Sequence, residues 1–113
     1  MNPQIIFEEL SKKGNELSNL NERLTRHAID KAKTECIYRR ELRKEILLLR
    51  QQKVQVSLIN DLSKGNERIA NLRYKRDLAA SAYYTCISAI ENKRLEIEVL
   101  RSKLTWLRTE LSI

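Results

Sequence analysis

The sequence predicts an all-α protein: a long antiparallel helical hairpin of coiled-coil type that assembles into a four-helix dimer. Three observations predict it. The 113 residues include only two glycines and one proline, so the turn residues that β-sandwiches and doubly wound α/β folds need are missing. Apolar residues make up 42% of the chain and are evenly spread, too many for disorder, although a third of the chain is charged. Leucines, isoleucines and alanines then recur at helical spacing through two long stretches separated by one break. A single domain is expected over residues 1–113. Its parts are a helix over about 3–51, a basic loop with a short helical turn over about 52–65, and a helix over about 66–111.

The first helix has a good entry. Asn2 can cap it, and Pro3 suits the first helical position, where its missing N–H costs nothing. Glu8 and Glu9 follow, near the positive end of the helix dipole. Gly14 is the one breaker before Gln51, and it weakens a helix interior by only about 1 kcal/mol. Leu10, Leu17, Leu24, Ala28, Ala32, Leu42, Ile46 and Leu49 carry the apolar pattern.

The segment QKVQVSLINDLSKGN interrupts it. Val54 and Val56 alternate with polar residues, which suits an extended link. Ser57 can cap a turn through Leu58, Ile59 and Leu62, and Gly65 is the expected left-handed residue that ends it. Asn66 then caps the second helix, which has Glu67 in its first turn and neither glycine nor proline to about Leu111.

That helix keeps a heptad with Ile69, Leu72, Arg76, Ala79, Tyr83, Cys86, Ile90, Lys93, Ile97, Leu100, Leu104, Leu107 and Leu111 at the a and d sites. Pairing the helices symmetrically about the loop places Arg76 near Glu41 and Glu45, and Lys93 near Glu22, as register-setting ion pairs. The same register separates Cys36 from Cys86 by about 7–8 Å along the axis, so both are expected reduced, as small core residues.

Apolar residues are left over. Leu95, Val99 and Trp106 share an outer face of the second helix, and Ile5, Ile6 and Phe7 lie at the same end of the hairpin. Ile6, Phe7, Leu95, Val99 and Trp106 are therefore the expected oligomerisation residues of a homodimer. No stretch approaches the roughly 18–20 apolar residues of a membrane span, and the N-terminus lacks a signal-peptide pattern. The expected setting is the cytoplasm.

The formal charge is +7, and residues 39–76 hold eleven bases against four acids while the rest of the chain balances to zero. Arg39, Arg40, Arg43, Lys44, Arg50, Lys53, Lys64, Arg68, Arg73 and Lys75 form a basic tip expected to bind an acidic partner, with Tyr38 and Tyr74 beside it. Arg76 lies at its edge. Catalysis is not expected. There is no phosphate loop, no nucleophile elbow and no H-E-x-x-H, and a lone His27 three residues before Asp30 makes no dyad. No metal or cofactor is expected either, since a zinc site needs about four ligands and the chain has one histidine and two distant cysteines.

The middle of the chain carries Tyr38-Arg39, Leu42, Lys44, Ile46 and Leu47; then Val56, Leu58-Ile59, Asp61-Leu62 and Gly65; and then Ala70, Leu72-Arg73, Arg76-Asp77, Ala79 and Tyr83. In this pattern it resembles a family of small helical proteins encoded by temperate phages of Gram-positive bacteria. The resemblance extends over residues 38–107 and departs from the family pattern at Gln52-Lys53, where a glycine-containing turn is usual. It implies an early phage protein from the replication and recombination region, acting in the host cell. The expected function is non-enzymatic: binding a host or phage protein, as an inhibitor of a bacterial defence or replication enzyme. The alternative is an accessory nucleic-acid-binding protein of phage replication or recombination.

Overall fold

The computed structural model describes residues 2–112. It is an all-α antiparallel helical hairpin with three helices, α1 (Pro3–Gln51), α2 (Val56–Gly65) and α3 (Glu67–Ser112). None of them is long and apolar enough to cross a membrane. Packing contacts divide the chain into two units, one built from residues 1–25 and 84–113, the other from residues 26–83.

The expected caps form. The Asn2 side chain accepts from the Gln4 N–H at 2.9 Å, and Asn66 accepts from the N–H groups of Arg68 at 3.0 Å and Ile69 at 3.3 Å. Gly14 lies inside α1 without ending it. On α3 twelve of the thirteen heptad residues are buried or half-buried; only Leu111, at 76% exposure, is not. The matching stripe of α1 runs Ile6, Leu10, Lys13, Leu17, Leu20, Leu24, His27, Lys31, Thr34 and Tyr38, alternating four- and three-residue steps. Ala28 and Ala32, expected on this stripe, are exposed, and His27 and Lys31 take their place.

The reversal differs from expectation. Gly65 does not adopt a left-handed conformation; the residue with positive φ is Lys53, at 60°. Around it the Val54 N–H donates to the Leu49 carbonyl at 3.1 Å and the Lys53 N–H to the Arg50 carbonyl at 3.0 Å. That pair of bonds is a Schellman motif, which satisfies carbonyls left open at the end of α1. The chain therefore turns within residues 52–55, and Val56, expected in an extended link, begins a helix. Ser57 does not cap it. Gln55 occupies the cap position with φ −57° and ψ 130°, without a side-chain bond.

The early turn shifts the register. In the first unit Lys13 pairs with Glu96 at 2.9 Å and Glu16 with Lys93 at 2.5 Å. In the second, Arg68 meets Glu41 at 2.6 Å and Arg76 reaches Glu35 at 3.5 Å. Arg76 thus does not pair with Glu41 or Glu45, nor Lys93 with Glu22. The expected centre of symmetry lay inside α2, whereas α2 already belongs to the return arm. The kind of interaction stands: seam cations hold acids of the opposite helix.

The core of the first unit is Ile6, Leu100 and Leu104, with Leu10 and Leu107 against it. Cys86 is also buried there, its thiol 3.4 Å from the Leu20 carbonyl. In the second unit Tyr38, Ile59, Ser63 and Ile69 are buried, and the Ser63 hydroxyl donates to the Asn60 carbonyl at 3.0 Å. Both cysteines are free, but Cys36 is exposed rather than in the core.

Candidate partner-binding surface

The unit of residues 26–83 contains fourteen bases and seven acids, so it carries the entire net charge; the other unit has eight of each. Long helices present these bases on defined faces. Along α1, Arg40, Arg43, Leu47 and Arg50 follow three- and four-residue steps and are all exposed. Along α3, Arg68, Asn71 and Lys75 do the same.

Ion pairing sorts the bases. Glu41 accepts from Lys44 at 3.2 Å and from Arg68 at 2.6 Å, and the second arm of Arg68 lies 3.7 Å from Glu45. The hydrogen bond from Lys44, then that from Arg68, holds the Glu41 carboxyl below its ordinary value. Glu35 accepts from Arg39 at 2.6 Å, and this bond raises the Arg39 guanidinium further above its ordinary value. Glu35, Glu41 and Glu45 are thus turned to partners within the unit, whereas Asp61 and Glu67 have no ion pair among the described residues. Seven expected tip residues have no carboxylate partner among the described residues: Arg40, Arg43, Arg50, Lys53, Lys64, Arg73 and Lys75. Arg40 donates only to the Cys36 sulfur, at 3.5 Å.

Beside the start of α3 lies an open depression of about 580 Å³ lined by Asn66, Glu67, Arg68, Asn71, Leu72 and Lys75. Tyr38 does not serve this surface. Its ring is buried under the Arg76 guanidinium, 4.4 Å from the ring centre, in a cation–π contact. Tyr74, at 64% exposure, remains available.

An apolar component accompanies the charge. Leu47, Leu48, Val56, Leu58 and Leu62 are all between 45% and 83% exposed. Sequence reasoning placed Leu58 and Leu62 in a short turn and did not single out these exposed residues. The available signal was the crowding of Val56, Leu58, Ile59 and Leu62 onto a helix of ten residues, which can bury only one stripe.

In the first unit, of the residues expected to mediate association, Phe7, Leu95, Val99 and Trp106 are exposed. Ile6 is a correction: it is fully buried against Leu100 and Leu104 within the chain. It forms the floor of a groove of about 350 Å³ whose other lining residues are Ser102, Lys103, Trp106 and Leu107. His27 is half-buried on the α1 stripe while Asp30 is exposed. Among the described residues no group of three or more His, Cys, Asp or Glu side chains is disposed to hold a metal ion. No protein-family model, curated protein or solved structure matches this chain.

Proposed function

We propose that the protein is a non-enzymatic binder, active as a homodimer, whose basic end docks on an acidic surface of another protein. The phage resemblance makes that partner a host or phage enzyme of defence or replication, and occupation of its surface would inhibit it in the host cytoplasm. The observation that carries the reading is the combination, on one unit, of seven bases without carboxylate partners among the described residues and four exposed leucines, Leu47, Leu48, Leu58 and Leu62. Cations steer the encounter, while buried apolar area and arginine anchors supply most of the strength of a protein interface. A surface built for phosphates alone has no use for Leu47, Leu48, Leu58 and Leu62.

A specific observation favours the second reading, an accessory nucleic-acid binder. Glu41 and Glu45 are engaged by Arg68 and Lys44, so they do not repel a phosphate backbone. The experiment separating the two is retention of proteins from nuclease-treated host lysate, beside titrations with single- and double-stranded DNA at low and physiological salt. The first reading requires a stoichiometric protein that survives nuclease and is lost with both Arg40→Glu/Arg43→Glu/Lys75→Glu and Leu58→Ser/Leu62→Ser. Retention of no protein, with DNA binding that persists at physiological salt and is insensitive to the leucine changes, establishes the second.

A further inference from the structure

The apolar stripe of the first unit is its own complement. Leu95, Val99, Ser102 and Trp106 are spaced four, three and four residues apart on the side of α3 left uncovered by α1, and all are exposed. Asn92 and Thr109 continue the same stripe at either end and are polar, so the apolar section is bounded. A second α3 laid antiparallel along it by a two-fold axis places Leu95 opposite the copy's Trp106 and Val99 opposite the copy's Ser102. Val99 then meets a small residue, while Leu95 and Trp106 bring two large apolar side chains together at either end of the section. The groove of about 350 Å³ beside Trp106, lined by Ser102, Lys103 and Leu107 over the Ile6 floor, lies where a knob opposite Trp106 must enter.

Charge agrees with shape. In an antiparallel pair the residues following the stripe on the same side face one another across the interface. Here that sets Glu96 against the copy's Lys103, twice by symmetry. Glu96 already holds Lys13 at 2.9 Å and Lys93 at 3.2 Å, yet it remains 47% exposed and can accept a third donor. On the other side Glu98 faces Thr105, so no like charges oppose. A different protein partner would give no reason for one stripe to match itself in charge and end points.

We infer that two copies of this chain associate through α3 in this antiparallel register, with Leu95 of each seated beside Trp106 of the other. This inference is independent of the reading of the basic end, and either can fail without the other. The test is sedimentation equilibrium of the full chain at micromolar concentration, with disulfide trapping as the register readout. The wild type should give twice the 13.3 kDa chain mass. Val99→Arg should raise the dissociation constant about a hundredfold or more while leaving helicity intact. For trapping, exposed Cys36 is first replaced by serine. Copies carrying Asn92→Cys mixed with copies carrying Thr109→Cys should cross-link rapidly, whereas Asn92→Cys alone should not, because its thiols lie about 25 Å apart along the axis. A monomeric wild type, a dimer indifferent to Val99→Arg, or Asn92→Cys copies that couple with each other as fast as in the mixture would overturn it.

Discussion

Replacing Lys53 by glycine should stabilise the protein, and replacing Gly65 by alanine should do so too. An L-residue held in the left-handed region loses about 1–2 kcal/mol to the clash between its Cβ and the carbonyl. Lys53 sits there at φ 60°. Glycine removes that clash but brings more freedom to the unfolded chain, which returns about 0.5–1 kcal/mol. The expected net gain for Lys53→Gly is about 1 kcal/mol, or about 4 °C in Tm for a chain of this size. Gly65 has no positive φ, and a Cβ added there meets nothing within 4 Å. As the last residue of α2, Gly65→Ala should gain about 0.5–1 kcal/mol from reduced unfolded-state freedom. Urea unfolding followed by circular dichroism at 222 nm, at one protein concentration to hold association constant, measures both. If Gly65→Ala destabilises by more than 1 kcal/mol while Lys53→Gly is neutral, the turn lies at residue 65 after all and the register argument collapses.

Ile6→Ala should weaken the fold by about 2–4 kcal/mol, because Ile6 is fully buried, whereas Phe7→Ala should cost the chain's own stability less than about 1 kcal/mol; chemical unfolding of a Val99→Arg background separates folding from association. Cys36→Ala should be near neutral and Cys86→Ala should cost about 1–2 kcal/mol, with no change on adding reductant, since both thiols are free and only Cys86 is buried. Thermal melts across pH should lose stability at the acid end. Hydrogen bonds from Lys93 to Glu16, from Lys44 and Arg68 to Glu41, and from Lys13 and Lys93 to Glu96 lower all three carboxyls from about 4.5. Their contribution is present above that value and disappears as pH falls through the lowered ones. Lys93, raised above 10.5 first by Glu16 and then by Glu96, contributes below that value and loses its contribution as pH climbs past the raised one. Glu16→Gln should flatten both limbs, and a profile that it leaves unchanged would refute the assignment.

The helices, their caps and the α3 heptad were legible because they rest on local chemistry: Asn2 and Asn66 carry the cap oxygen, and Ile69 to Leu107 repeat without interruption. The α1 stripe was harder to read. His27, Lys31 and Thr34 occupy its middle, so following alanines led to Ala28 and Ala32, one position to the solvent side. The register failed for a different reason. Turn rules assign positive φ to glycine, and this chain gives it to a lysine, which moved the reversal toward the N-terminus and every cross-helix partner with it. Of the candidate surface, the concentration of charge could be counted directly, but which bases are already paired depends on that register. The exposed leucines depended on it as well, since α2 was read as a connection and not as part of the return arm.

The polar middle of the α1 stripe has a consequence for motion. Lys31 covers the Tyr83 ring at 5.7 Å from its centre, and Thr34 returns its hydroxyl to the Asp30 carbonyl at 2.8 Å; neither fills the space that a leucine would. Beside Tyr83, α3 presents only the small side chains of Ala79, Ala80 and Ala82 here, all half-buried. Backbone amides there are covered by little apolar surface, so they should open to solvent through local fluctuation well before global unfolding. Deuterium should therefore enter α1 first around residues 27–34, leaving the amides near Tyr38 and Leu17 protected for longer. Such a breathing segment inside an otherwise uninterrupted helix makes this the place where a protease or a binding partner meets the least resistance.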